Sequence, residues 1–447
     1  MSESRLDLKQ VYKPEPKNSN VNQAILFILP SIVITIISIL LFGQLNVFSE
    51  PNHNIFLVTV ISAIILSLVG MAGMQMLMYR IIDDRDHYID GTAIRAIKMG
   101  LIYSCTVSII LAAIISPFLL NVLHFSITDF LYFALLLFLF SSTWIIISAF
   151  WAAERFKYPA IIFTIAYIVI FGFTYTAYRI NSVYTLTGYI LGTTTLLLLS
   201  FFTAIRVFPK PRLDHALSSD FSKLPKLISL NTAPILFNIF YVLAIFLDKI
   251  IVWVNQGLQT GQGLVVTGNY TTAAFLGLIP LFSIAVVAYF TSRTKSIVQD
   301  RYKGTFSEIQ KGLKEYERIY RTSLGAMLLI AMLLTILAVI SGYVLTGNTQ
   351  ILQILLTIAM GSICFSVIIF NSTVLVIFGK GSISTISVLI IVIAELITIP
   401  FVRYEIWYAS LGFLVGSFVG SIVSLSVTLQ MLSRFEYKMF RLLLKPQ

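Results

Sequence analysis

Three ionisable residues stand where apolar surroundings make charge expensive. The stretch "FLDKIIVW", residues 246–253, sets Asp248 beside Lys249 inside an apolar run, and Glu395 interrupts a second such run, "IIVIAELITIP". A charge near the middle of a membrane helix costs at least ~2.5 kcal/mol on insertion scales, so residues of this kind usually serve a cavity or a partner. Adjacent helical positions point about 100° apart, which predicts that Asp248 and Lys249 do not neutralise each other and that each has its own environment. Glu395, the other acid well inside an expected helix, is then the expected partner of Lys249. Asp248, roughly 9 Å below the expected outer end of its helix, is expected to face a pathway for cationic or hydroxyl-rich cargo; the alternative is that both charges are structural and fix helix packing.

The other chemistry-bearing residue types form weaker patterns. "MYRIIDDRDHYIDG" holds Asp84, Arg85 and Asp86, the letters of a metal- and nucleotide-sugar-binding Asp-x-Asp, but a loop of about a dozen residues between two apolar runs provides no nucleotide-binding domain around it. The loop reads instead as a solvated connector or as a salt-bridged cytoplasmic gate of Arg80, Asp84 and Arg85 with Glu154 and Arg155 of "ERFKYP". Cys105 and Cys364 lie in different apolar runs, and the four histidines fall in or beside expected loops. No metal site, cofactor or disulfide is expected from them. In "EIQKGLKEYERIYR", Glu308, Lys311, Glu315 and Arg318 recur at three- and four-residue intervals, as one face of an amphipathic helix on the membrane surface would require. Its basic residues Lys311, Lys314 and Arg318 are the candidate contacts for a cytoplasmic partner.

The elements that must position these residues follow from composition. Of 447 residues, 57% are hydrophobic and 11% charged, against roughly half and one quarter in soluble domains. Runs of about 20 apolar residues, enough to cross ~30 Å of hydrocarbon, recur along the whole chain. They predict an all-α polytopic membrane protein of twelve helices near 24–42, 55–79, 95–120, 127–152, 159–178, 184–205, 229–254, 270–291, 322–345, 351–377, 382–402 and 407–431. The polar opening segment lacks the apolar core and cleavage site of a secretory signal, so insertion is expected to begin at the first helix. No soluble catalytic domain fits between the runs, and no enzymatic activity is expected.

The net charge of +11 follows membrane topology and does not suggest nucleic acid. Lys and Arg collect in alternate loops, including Arg80 to Lys98, Arg206 to Lys226 and Ser292 to Arg321, while the opposite loops hold only Arg179 and Arg403. That asymmetry places both termini in the cytoplasm and leaves anionic lipid as a secondary attraction. Loop lengths also repeat after six helices, and "VFPKPRLDHALSSDFSKLPK" has the Pro and Ser content of a linker. The expected organisation is a tail (1–23), a six-helix bundle (24–206), a linker (207–228), a second bundle (229–431) and a tail (432–447). Two bundles in parallel orientation are an arrangement that secondary transporters use to hold a substrate pathway between halves.

Several stretches, in order, resemble one family. "GMQMLMYRIIDDR", "WIIISAFWAAERFKY", "NIFYVLAIFLDKIIVW" and "AAFLGLIPLFSIAVVAYFTSRT" are similar to the PelG-like inner-membrane transporters of Pel exopolysaccharide systems, within the superfamily of polysaccharide and lipid-linked oligosaccharide flippases. The shared positions include Gly73, Gln75, Arg80, Asp84, Arg85, Asn238, Asp248, Lys249, Trp253 and Pro280. The resemblance implies a transporter that exports a cytoplasmically made, amino-sugar-rich polysaccharide across the bacterial inner membrane, with Asn238 added to the pathway residues. It also implies partners: a cytoplasmic glycosyltransferase and further membrane subunits of a synthase complex. The alternatives are a lipid-linked oligosaccharide flippase or cation/drug antiporter of the same fold, and a non-transporting anchor for a glycosyltransferase. Lys249 as the lone interior cation argues against a lipid-diphosphate cargo.

Overall fold

The computed structural model describes residues 20–44, 51–82, 92–123, 125–208, 229, 232–260, 268–300, 306–346 and 349–433. Among them the regular structure is helical. The first half contains α1 (Asn20–Gln44), α2 (Pro51–Ile82), α3 (Thr92–Pro117), α4 (Ile127–Ala152), α5 (Lys157–Ile180) and α6 (Thr185–Val207). The second contains α7 (Thr232–Thr260), α8, α9 (Phe306–Thr346), α10 (Thr349–Ile377), α11 (Gly381–Val402) and α12 (Tyr408–Ser433). α8 is broken: helical segments Gly268–Gly277 and Ala285–Asp300 flank a 3-10 stretch, Ile279–Ile284, that begins beside Pro280, whose ring removes a helical donor and crowds the preceding turn. Eleven described helices are long and apolar enough to cross a membrane, and α1 carries a shorter apolar stretch, Asn22–Ile37. The chain is a multi-pass membrane protein.

Each expected helix is present, and three differ in extent. α7 continues to Thr260, α8 to Asp300, and α9 starts at Phe306. The early start of α9 corrects the reading of "EIQKGLKEYERIYR" as a separate helix lying on the membrane surface. Those residues form the first turns of one 41-residue helix, about 60 Å long at 1.5 Å per residue. Tyr316, Ile319 and Tyr320 are buried there, with Phe290 of α8, Phe370 of α10 and Phe378 of the turn after α10 around them. A stripe of large apolar side chains holds the segment to the bundle, so it cannot also lie across the lipid surface.

The two halves are built alike. α5 packs on α6 as α11 packs on α12, α1 on α5 as α7 on α11, and α4 on α6 as α10 on α12. The turn after α4 and the turn after α10 share one hydrogen-bond pattern. The Arg155 amide donates to Phe150 O (2.9 Å) and the Glu154 amide to Trp151 O (3.0 Å). Lys380 donates to Leu375 O (2.7 Å) and Gly379 to Val376 O (3.0 Å). This is the Schellman closure, which needs a left-handed residue, and the φ values are +56° at Glu154 and +68° at Gly379. Glycine meets that demand freely, whereas Glu154 pays a strain on the order of 1 kcal/mol. Close helix approach is repeated too: a Cβ on Gly192 would lie 2.5 Å from Ile170 Cα, and one on Gly416 2.6 Å from Ile391 Cα. Small residues at such crossings are how membrane helices gain packing without a hydrophobic drive.

α7 lies on the seam between halves. Val242 and Trp253 belong to the apolar core of α1–α6, while Ala244, Ile251 and Val252 belong to that of the second half. Near the start of α7, Asn238 Nδ2 donates to Gln75 Oε1 of α2 at 3.3 Å. α8 packs against α1 beside it.

Candidate functional site

An apolar helix brings Asp248 and Lys249 into the second bundle because most of its other residues can face either core. Both are buried, each at 1% exposure. Asp248 sits twelve residues before the end of α7, about 18 Å along the helix and deeper than the sequence suggested. Its carboxylate is fully engaged: Lys249 Nζ reaches Oδ1 at 2.9 Å and the Tyr270 hydroxyl donates to Oδ2 at 2.9 Å. Lys249 also donates to Ile245 O, one turn back, at 2.8 Å, and its ammonium lies 5.7 Å from the Phe275 ring.

This pairing corrects the expectation that neighbours in sequence cannot neutralise each other. The 100° rule governs where Cβ atoms point, whereas lysine carries its charge on a flexible four-carbon stem. Here that stem curls back along its own helix to the preceding carboxylate. The expected partner, Glu395, makes no ion pair with Lys249. Yet it is close, because α7 and α11 run parallel: Asn255 Nδ2 donates to Val402 O at 3.2 Å, a separation of 147 residues. Asp248 and Glu395 have the same separation two turns lower, and the charges of Asp248 and Lys249 both act on Glu395. Glu395 is wholly buried, and neither carboxylate oxygen has a hydrogen-bond partner.

Other polar contacts join helices of the second half. Trp253 Nε1 donates to Thr271 Oγ1 at 2.9 Å, next to Tyr270. Elsewhere in the same half, Tyr320 donates to Asn371 Oδ1 at 2.7 Å, and Asn371 Nδ2 donates to Ser424 Oγ at 3.3 Å. Sequence reasoning missed Tyr270, Asn371 and Gln75 as site residues. A lone tyrosine or amide in an aromatic-rich membrane chain gives no periodic signal; the "DK" pair was the flag nearest Tyr270, and Gln75 was marked only by the family resemblance.

The other expected sites fare as follows. Asp84, Arg85 and the side chain of Arg80 lie outside the described residues. Glu154 and Arg155 occupy the turn after α4. Lys311, Lys314 and Arg318 are exposed on the first turns of α9, and Arg321 of that face pairs with Glu317 at 2.6 Å. No group of three or more His, Cys, Asp or Glu residues that could hold a metal ion occurs among the described residues.

The chain matches the model of the PelG family, exopolysaccharide exporter (EPS-E), over residues 27–440. No curated protein matches it. Among solved structures it is similar to a MATE protein in complex with MaL6, at 14% identity and TM-score 0.66, covering 94% of this chain and 97% of that one. It is similar to a multidrug resistance MATE family transporter of the MOP superfamily in its outward-facing conformation, at 14% identity and TM-score 0.66, covering 94% and 96%. A MOP superfamily transporter from Pyrococcus furiosus is alike at 15% identity and TM-score 0.66, covering 93% and 96%. At these identities the likeness shows a shared fold.

Proposed function

We infer the function from one premise: this chain belongs to the PelG family of exopolysaccharide exporters. It moves a cytoplasmically made, amino-sugar-rich polysaccharide across the bacterial inner membrane, through a pathway between its two helical bundles. Both termini are cytoplasmic. The single observation that carries this reading is the family match, which spans nearly the whole chain. The buried acids Asp248 and Glu395 suit a cargo that can carry positive charge. Lys249, the cation among them, is already committed to Asp248, which leaves no free basic site there for a diphosphate.

Within this reading Asp248, Lys249, Glu395 and Asn238 serve the pathway. Arg80, Asp84, Arg85, Glu154 and Arg155 form its cytoplasmic gate. Lys311, Lys314 and Arg318 on the first turns of α9 receive a cytoplasmic glycosyltransferase, whose polymerisation feeds the exporter. Other membrane subunits complete the synthase complex.

The test is a strain lacking this gene, complemented with the wild-type gene or with Asp248→Asn. The wild type restores extracellular polymer; Asp248→Asn, present at normal membrane levels, restores markedly less. Sugar analysis of the polymer then identifies the cargo. Unchanged polymer in the deletion strain, with altered sensitivity to cationic drugs, would turn the reading to an antiporter of the same fold.

A further inference from the structure

The ion pair within α7 leaves one charge unanswered. Three formal charges meet at one level of the second bundle: Asp248 and Glu395, both acidic, and Lys249. Lys249 spends its bonds on Asp248 Oδ1 and Ile245 O. Both oxygens of the fully buried Glu395 are without a donor. A buried carboxylate with neither hydrogen bond nor counter-charge costs several kcal/mol, so a compensating ligand is required.

The surroundings narrow the choice of that ligand. α12 closes on Glu395 so tightly that a Cβ on Gly412 would lie 2.8 Å from Glu395 Cα and 3.1 Å from Ala394 O. The titratable groups that face Glu395 are Asp248 and Lys249 from α7 and Tyr270 from α8. α10 and α12, its other neighbours, carry only Cys364 and Tyr408 as titratable residues. One carboxylate has no companion oxygen ligands for a metal ion, and Asp248 is saturated by Lys249 and Tyr270.

We propose that Glu395 is a proton-exchange site, and that loss of its proton transfers Lys249 from Asp248 to Glu395. The balance is simple: the Glu395 O–H bond breaks, the proton leaves to bulk water on the side the pathway opens, and Lys249 stays an ammonium throughout. Before the exchange, Asp248 binds both Lys249 and the Tyr270 hydroxyl that joins α7 to α8. After it, the ammonium bridges α7 to α11, and Asp248 keeps only the Tyr270 hydroxyl. α11 moves as one body with α12, since Gly412, Gly416 and Gly420 fix their contact. Loss of one proton therefore adds a bridge from the seam helix α7 to the α11–α12 pair, while the Asp248–Tyr270 bond holds α7 to α8 in both states. This gives the exporter a proton-operated element whatever polymer it carries.

The site is tested on the full-length protein reconstituted in lipid, by infrared difference spectra between acidic and alkaline sodium-free buffers. The expected result is a protonated-carboxyl stretching band that disappears on alkalinisation, is missing in Glu395→Gln, and disappears at lower pH in Asp248→Asn, where Lys249 is freed for Glu395. Glu395→Asp keeps the carboxyl and displaces the band, which covers the case in which Glu395→Gln does not accumulate. The same band in Glu395→Gln, an unmoved band in Glu395→Asp, or a band that follows sodium at constant pH overturns the proposal. None of these readouts uses polymer export, so failure here is distinct from failure of the exporter reading.

Discussion

A lysine buried between two carboxylates responds unequally to the loss of its neighbours, and that asymmetry separates a three-residue cluster from an isolated ion pair. Removing the cation by Lys249→Met leaves Asp248 and Glu395 at one level with no counter-charge, and breaking a buried pair in this way costs about 3–5 kcal/mol. Removing the anion by Asp248→Asn leaves Lys249 with Glu395 within reach of its flexible stem, so the loss should stay below about 2 kcal/mol, near that of one charged hydrogen bond. Thermal unfolding of the purified variants should rank Lys249→Met well below Asp248→Asn. Equal losses, or the reverse order, would show that Glu395 cannot serve Lys249 and that the pair stands alone. The existence of this cluster was legible in the sequence, since acids and lysines inside apolar runs are conspicuous. Its bonding was not, because helical angles describe backbone directions and say nothing about where a long side chain folds. Tyr270 was invisible for a related reason: it sits just past an uncharged loop and gains meaning only when α8 packs on α7.

Elements repeat what residues conceal. The Schellman turns after α4 and α10 have the same hydrogen bonds, although one reads "AER" and the other "FGK"; helical periodicity located the helices on either side, but only backbone geometry reveals the duplicated turn. The extents that sequence misjudged have physical causes. Charge density ended the expected ninth helix at residue 322, where hydropathy falls, yet helix propensity does not fall with it, since Lys, Glu, Arg and Gln are good helix formers. α9 therefore runs on past the apolar run with Tyr316, Ile319 and Tyr320 buried and Lys311, Lys314 and Arg318 exposed. That division of faces makes a clean experiment. Reversing Lys311, Lys314 and Arg318 to Glu leaves the packed face untouched, so the amount of protein in the membrane should not change. Capture of the cytoplasmic glycosyltransferase should fall severalfold, and more at low ionic strength, where charge pairs are least screened. Full capture by the triple variant would remove α9 from the partner surface.

The whole molecule joins two copies of one six-helix plan, and parallel copies impose a rule on charge. An even number of crossings in each half brings both halves to start on the same side, so every basic loop of one bundle must share a side with those of the other. The sequence obeys this: Lys and Arg gather in "RIIDDRDHYIDGTAIRAIK" of the first half and "SRTKSIVQDRYKGTFSEIQKGLKEYERIYR" of the second, with Arg179 and Arg403 on the opposite side. Each Lys or Arg near an anionic surface is worth about 1 kcal/mol, so inverting the protein would place more than a dozen cations on the disfavoured face. The fold was legible at this scale because hydropathy and charge are summed over twenty residues at a time and tolerate local error. The closing helices were legible too, down to a few residues, but the seam was not, since α7 is apolar on the faces that meet both cores. Orientation is therefore the property to measure directly. In a cysteine-free background (Cys105 and Cys364 replaced by Ala), a cysteine at exposed Gln259, near the end of α7, should react with a membrane-impermeant maleimide in intact cells. A cysteine at exposed Lys311, on the first turns of α9, should react only after the membrane is permeabilised. Labelling of the Lys311 position in intact cells, with Gln259 protected, would invert the molecule and place the proposed glycosyltransferase surface on the wrong side of the membrane.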